Sequence, residues 1–306
     1  MEKKNNAVVK KVIIAVVAVI LLVAAIFLTK TFIDNKNDPS NGDVPSSSQT
    51  QTTEPVAKPD YSEYVEQNPE TVGWISIPGT QINFPVVQSV DNGYYLKHSF
   101  DHKKDERGAI YMDYRNNPTD LDANTIIYGH NDYKDGSVFS EVAHYDDIDY
   151  YKEHPVIEFN TLENYYQWKI YAVFITNQQA KCQHGIVFDN GYVFNYIWPQ
   201  MEGPNFKGYV EELNKRTLYY TGVDIKNGDR ILTLSSCART LDTSTHRAET
   251  SIVVVARAVR PGEDPTVDVS KAYVNENPKY PQLYYNIKGI PNPYKNDERW
   301  YPVVIN

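Results

Sequence analysis

The chain has 306 residues, with 30 Lys+Arg against 39 Asp+Glu and a formal net charge of −9; five of the lysines lie in the first thirty positions beside a single glutamate. The remaining 25 basic and 38 acidic residues make an acidic body, which excludes nucleic acid as the main partner because phosphate neutralisation needs a basic face. A hydrophobic content of 41% excludes wholesale disorder, and two cysteines, Cys182 and Cys237, are too few for a disulfide-stapled scaffold or a Cys-rich zinc fold.

Residues 12–28 read VIIAVVAVILLVAAIFL, without charge or proline. As a helix rising about 1.5 Å per residue, this run nearly crosses a hydrocarbon core of about 30 Å. Lysines precede it, and Asp34 and Asp38 follow, so the positive-inside tendency predicts a cytoplasmic N-terminus and an external remainder. A cleaved signal peptide is the competing reading. The run exceeds a usual signal core and no clear small-x-small site follows, which favours a retained single-pass anchor over residues 12–29 within a tail-and-anchor segment 1–33. Residues 34–60 are rich in Asn, Asp, Ser, Thr and Pro and predict a flexible linker with almost nothing to bury.

Folded sequence begins at Tyr61, where YSEYVEQNP predicts a short helix stopping before Pro69. Short β-type runs follow over 73–77, 82–87, 109–112, 124–128, 156–159, 167–175, 229–236 and 251–259, punctuated by turn residues such as Pro78-Gly79 and Asn227-Gly228. Residues 206–217 are more helical. About eight strands with few helices predict a mainly β fold, a closed or nearly closed eight-stranded β-barrel with an N-terminal helix and helical insertions over residues 61–260. Residues 261–306 contain prolines and tyrosines but no long periodic segment, and either wrap the domain or trail from it.

The window 227–259 carries the most chemistry. Period-two alternation sets Thr233, Ser235 and Cys237 on one face of a strand, with Leu232 and Leu234 on the other. If 251–259 is the antiparallel neighbour, residues just before it lie beside those just after the first strand, which makes Arg247, Arg239 and His246 rival neighbours of Cys237. A thiol near a guanidinium suits a nucleophile with an anion-stabilising partner. A small buried hydrophobe, or a disulfide with Cys182, fits the same spacing. Of seven histidines, His98, His102, His144, His154 and His184 lie in polar surroundings, whereas His130 ends the strand-like NTIIYGH before a polar loop, where a general acid or base could face a cleft.

TLSSC at residues 233–237, Arg247 ten residues after the cysteine, and the earlier YGHN together resemble the sortase signature. The segments NPETVGWISIPGTQINFPVVQ, DNGYYL and YGHNDYKDGSVF resemble class B sortases, and the predicted anchor and tether fit the same family. Ser236 stands where the family usually has Thr, residues beyond 260 exceed the class pattern, and Asp38-Pro39-Ser40 is not the Asp-Pro-aromatic lid of pilin-polymerising members. The resemblance implies a sortase-type barrel and a cysteine transpeptidase with Cys237 as nucleophile, His130 as proton carrier and Arg247 as oxyanion partner. It implies a substrate groove containing Asn92, Leu96 and Ser235, with Tyr196 and Ile197 in an insertion before the cysteine strand. The implied partners are secreted proteins with a C-terminal sorting signal and an amine of a peptidoglycan precursor, at the cell membrane. No HExxH, EF-hand or phosphate-cradling glycine loop occurs, so no metal or cofactor is expected. Three alternatives carry less of the pattern: a pilin-polymerising sortase, an L,D-transpeptidase-like enzyme suggested by Cys237-Ala238-Arg239, and a non-enzymatic membrane-tethered adhesion or scaffold domain.

Overall fold

Strand β1 (Thr71–Ser76) alternates buried and half-buried residues, the burial pattern of a strand with one face on a core. Two others, rich in β-branched and aliphatic residues, are buried almost throughout: ILTLSSCA and TSIVVVARA. Continuous burial of that kind needs cover on both faces. The computed structural model describes residues 60–132, 137–177, 192–242 and 249–304. In chain order its further strands are β2 (Asn83–Val87), β3 (Tyr111–Met112), β4 (Asn124–Tyr128), β5 (Asn131–Asp132), β6 (Ser137–Val138), β7 (Val156–Thr161), β8 (Gln167–Asn177), β9 (Tyr219–Tyr220), β10 (Ile231–Ala238), β11 (Thr250–Ala258) and β12 (Tyr273–Val274). Helices are α1 (Ser62–Gln67), α2 (Ile148–Glu153), α3 (Pro204–Arg216) and α4 (Gln282–Lys288).

Eight strands close into a ring in the order β1-β2-β3-β4-β10-β11-β8-β7, with β7 returning to β1. Most neighbours are antiparallel; β2–β3 and β4–β10 are parallel. Inside lie Ile75, Ile127, Leu232, Leu234, Ile252 and Val254 in one large apolar cluster. A second cluster forms on the outer face, where Ile231, Val253, Val255 and Phe174 are covered by Phe194, Tyr196, Tyr209 and Leu213. The last two belong to α3, which begins with Pro204 in its first turn and ends on Lys215 and Arg216, as the helix dipole favours.

The mainly β expectation is met as this closed ring of eight strands, each of the eight predicted runs matching one of them. The ends differ. Lys226-Asn227-Gly228-Asp229 folds as a turn, with the Asp229 N–H donating to the Lys226 carbonyl at 3.0 Å, so β10 starts at Ile231 and runs to Ala238. Cys237 therefore lies inside the strand rather than beyond it. The predicted strand at 109–112 contracts to two residues, and a seven-residue 3-10 segment, Ser140–Asp146, appears where the sequence shows no apolar period. The segment 261–304 wraps the ring: β12 pairs with β9, the Asn275 N–H donates to the Leu218 carbonyl at 2.9 Å, and α4 buries Leu283 and Tyr285. The anchor expected over 12–29 and the linker up to residue 59 lie outside the described residues. Among the described residues no helix is long and apolar enough to cross a membrane.

At the end of β10 and β11 remote from Cys237, Arg257 is buried and forks between Glu263 (2.6 and 2.7 Å) and Asp224 (2.9 Å). Arg260 bridges Asp229 at 2.7 and 2.6 Å, and Lys169 reaches Glu263 at 2.8 Å. The Arg257 hydrogen bonds hold the Glu263 carboxyl well below the usual carboxylate range, against its partial burial. Removing Arg257 leaves Glu263 to Lys169 and Asp224 to Arg260 and takes away the charge-assisted fork, so Arg257→Ala should lower the unfolding free energy by about 2 kcal/mol in urea titrations, with the slope unchanged. Because the folded pKa of Glu263 is depressed, its stabilisation is present above its unfolded value of about 4.3 and is lost as pH falls through that value toward the folded one. The parent should therefore lose more stability than Arg257→Ala between about pH 5 and 3 in thermal melts.

Candidate active site

Parallel pairing of β4 and β10 matches Ser235 to Tyr128. The pairing continues past the ends of the ladder. The Gly129 N–H donates to the Ser235 carbonyl at 3.3 Å, the Ser236 hydroxyl donates to the Gly129 carbonyl at 2.9 Å, and the Asn131 side-chain amide donates to the Cys237 carbonyl at 3.0 Å. Two steps beyond Ser235–Tyr128, this register sets His130 beside Cys237 on neighbouring chains about 4.8 Å apart. Cys237 is a free, half-buried thiol on the outer face of the ring, opposite Ser251 of β11. The disulfide alternative is thereby excluded for Cys237; Cys182 itself lies outside the described residues.

His130 is held from several directions. Its Nε2 is 3.0 Å from the Leu96 carbonyl, and its own carbonyl accepts from the Phe139 N–H at 3.0 Å. A carbonyl only accepts, so Nε2 is the nitrogen that carries a proton in this contact. Gly129 is required by close approach: a Cβ there would stand 2.6 Å from the Phe139 Cβ. Arg239 donates from Nη2 to the Asn131 carbonyl at 3.4 Å and faces Asp242 at 3.8 Å. Arg247 and His246, its rivals for the place beside the thiol, lie outside the described residues.

The residues expected to line a groove divide into half-buried ones, the expected wall, and buried ones. Asn92 donates to the Asp113 carboxylate at 2.9 Å and accepts from the Tyr114 N–H at 3.0 Å, while Leu96 offers its carbonyl to His130 and is half-buried. Ile197 is half-buried, and its carbonyl accepts from Arg115 at 2.9 Å. Ser235 and Tyr196 are both buried, their hydroxyls 2.9 Å apart, so they support the surface from beneath. Burial pushes the Tyr196 hydroxyl up, against the hydrogen bonds of Ser235 and Ser251. Burial does the same to Tyr111 and Tyr128, whose rings lie 5.2 Å apart, with the Asp113 charge adding to it.

Two organising residues were not visible in the sequence reading. Asp113 takes Arg115 in a fork (2.8 and 2.8 Å), Asn92 at 2.9 Å and the Tyr128 hydroxyl at 2.9 Å. Burial raises its carboxyl, but the Arg115 hydrogen bonds and charge outweigh that and hold it below the ordinary range. The local spacing Asp113-Tyr114-Arg115 was the available signal. Buried Asn124 donates to the Tyr196 and Trp198 carbonyls at 3.1 and 3.0 Å and accepts from Thr233 at 2.7 Å, with nothing in the sequence to distinguish it from a strand-edge asparagine. Among the described residues no group of three or more His, Cys, Asp or Glu is placed to hold a metal. A cavity of about 470 Å³ opens where Thr176, Tyr192 and Arg216 face Lys279, Tyr294 and Asp297.

A free thiol one strand away from a tethered imidazole is the arrangement of a cysteine-nucleophile enzyme. The sortase-domain profile matches residues 75–259, and the chain belongs to the sortase family. It is 37% identical over 171 residues to sortase B of Listeria monocytogenes, covering 56% of this chain and 63% of that one, and 29% identical over 204 residues to sortase B of Staphylococcus aureus, covering 66% and 76%. The match thus spans just under two thirds of the Listeria relative. The S. aureus sortase B–substrate complex superposes with a TM-score of 0.56 at 28% identity, over 66% of this chain and 86% of that one. These class B relatives agree with the likeness read from the sequence, and the wrap from 261 onward lies beyond the matched domain.

Asp113→Asn removes the charge that Arg115 pairs with inside the wall. It should destabilise the fold by about 2–4 kcal/mol at pH 7 in urea titrations. The folded pKa is depressed, so the parent's advantage should persist above the unfolded value of about 3.9 and vanish as pH falls through and below it.

Proposed function

We propose that this chain is a membrane-anchored cysteine transpeptidase that cleaves a sorting signal near the C-terminus of secreted proteins and transfers the acyl part to an amine. The observation that carries the reading is the β4–β10 register, which sets a free, half-buried thiol next to His130. In the proposed reaction the Cys237 thiolate attacks the carbonyl carbon of the scissile peptide bond and a tetrahedral oxyanion forms. Donors aimed at that developing charge lower the barrier. Arg247 is assigned this role for its permanent charge and planar fork of N–H groups. His130 gives a proton to the departing amine as the C–N bond breaks, leaving a thioester on Cys237. An incoming amine then attacks the thioester, His130 takes its proton, and the thiolate is released.

Asn92, Leu96 and Ile197 form the proposed wall for the sorting peptide, with Ser235 and Tyr196 holding it from below. Residues 12–29 are proposed to span the cell membrane with the N-terminus in the cytoplasm, which sets the catalytic domain outside, where secreted substrates and peptidoglycan precursor amines meet. The S. aureus relative solved as a substrate complex supports a substrate partner.

The test uses the full chain in detergent with a library of sorting peptides, with and without an added amine. Amine should divert product from hydrolysis to transfer, and Cys237→Ala should abolish both. Arg247→Lys should fold normally yet lose about a hundredfold in kcat, because a point charge cannot reproduce the guanidinium fork. Arg239→Ala should stay within about threefold of the parent. A loss at Arg239 as deep as that of Arg247→Ala would reassign the oxyanion role to Arg239.

A further inference from the structure

The last described residues return to the outer face and grip one irregular segment from both sides. Residues 192–200 contain no helix or strand, so no backbone ladder fixes them. At their start, the Tyr192 hydroxyl donates to the Trp300 carbonyl at 3.2 Å, the Arg299 guanidinium lies 5.5 Å from the Tyr192 ring centre, and Tyr301 meets the same ring edge-on at 5.6 Å. At their end, Asn205 donates to the Gln200 and Val303 carbonyls, both at 2.9 Å, and accepts from the Val303 N–H at 2.7 Å. Between these holds the Trp300 ring packs on Phe194 and Tyr209 at 5.9 and 6.1 Å. Gly208 makes room for it: a Cβ there would come within 2.1 Å of the indole nitrogen. An interior helical glycine costs about 1 kcal/mol relative to alanine, which this close approach explains.

We infer that residues 299–303 are a strap that positions the 192–200 segment, and that Trp300 is a positioning residue for binding of the sorting peptide beside Cys237. The contacts run inward from Trp300 to Phe194, from Phe194 to Tyr196 at 6.4 Å, and from Tyr196 to Ser235, two residues from the thiol. The same segment carries Ile197, whose carbonyl holds Arg115 on the Asp113 side of the wall. A wall ordered in advance spares the peptide the entropy of ordering it; a loosened wall is competent for only part of the time, and apparent affinity falls by that fraction. The strap therefore acts on peptide binding and not on the nucleophile. Its catalytic consequence rests on the transpeptidase reading above; its structural part does not.

The experiment compares the full-length parent with Trp300→Ala, Trp300→Leu and Trp300→Phe, all in a Cys182→Ala background so that alkylation reports Cys237 alone. Trp300→Ala should raise KM for a cleaved sorting peptide by about tenfold and leave kcat within about twofold, the pattern of lost binding rather than lost chemistry. Iodoacetamide should alkylate Cys237 at the parental rate, and Trp300→Phe should recover most of the KM. If Trp300→Ala lacks the parental melting transition, Trp300→Leu is held to the same criteria. Parental KM, or kcat and alkylation falling together at constant KM, would overturn the inference. Hydrogen exchange across 192–200 needs no substrate and should quicken in the variant; unchanged protection overturns the strap whatever the activity. Faster exchange in a protein whose parent cleaves no sorting peptide would keep the strap and overturn the transpeptidase reading.

Discussion

The parallel contact between β4 and β10 is the constraint on which the site depends. It joins Tyr128 to Ser235 across more than a hundred positions of chain, and the groups that would react lie two residues further along the same two strands. Such a contact closes a long loop and is entropically expensive to form, so it has to be stabilised by the rest of the ring. Both strands meet that need by burial: β4 is largely buried, and β10 is buried at seven of its eight positions, the half-exposed one being Cys237. Where the ladder gives out, side chains continue it. Ser236 and Asn131 each bond a carbonyl of the opposite strand, which keeps thiol and imidazole in register without another rung of backbone pairing.

Much of this was legible in the amino-acid sequence. Alternation in LTLSSC separates Leu232 and Leu234 from Thr233, Ser235 and Cys237; both leucines lie in the inner cluster, while Thr233 and Ser235 bond the polar groups of Asn124 and Tyr196. The helix at 204–216, read from the sequence as 206–217, and the strand at 124–128 were legible locally. What failed to appear were features decided by contacts remote in sequence. Asp113 is one acid among 39 until the fold brings Asn92, Arg115 and Tyr128 to it. The burial of Tyr196, with Phe194 and Phe174 packed around its ring, is another such feature. The wrap after 260 is equally silent in sequence: its hold depends on single side chains such as Trp300 and on backbone pairs to Leu218 and Lys215, neither of which leaves a period.

Two buried polar side chains near the site are occupied on several sides. Asn124 uses its carboxamide on three partners, and Asp113 accepts from three side chains. An unpaired buried polar group costs about 1–3 kcal/mol, so such networks permit few alternative arrangements. Apolar packing alone would stabilise the wall but let it slide. The asparagine and the aspartate fix which backbone and side-chain groups meet on this side of the ring.

Stability and chemistry are also kept apart along the same hairpin. The ion-pair cluster on Arg257 pairs opposite Ile231, six residues from Cys237, which at about 3.3 Å per residue puts the two about 20 Å apart. Lys169 and Glu263 extend that cluster onto β8 and the start of the wrap, so the far end of three adjoining elements is locked by charge. Near the thiol, β10 leaves the ladder at Ala238, and β4 gives way after Tyr128 to the glycine and histidine. The half-buried thiol and the irregular segment 192–200 therefore sit at the end of the ring away from that cluster. The C-terminal wrap also joins the two ends, anchored at Glu263 in the ion-pair cluster and reaching Trp300 against Phe194.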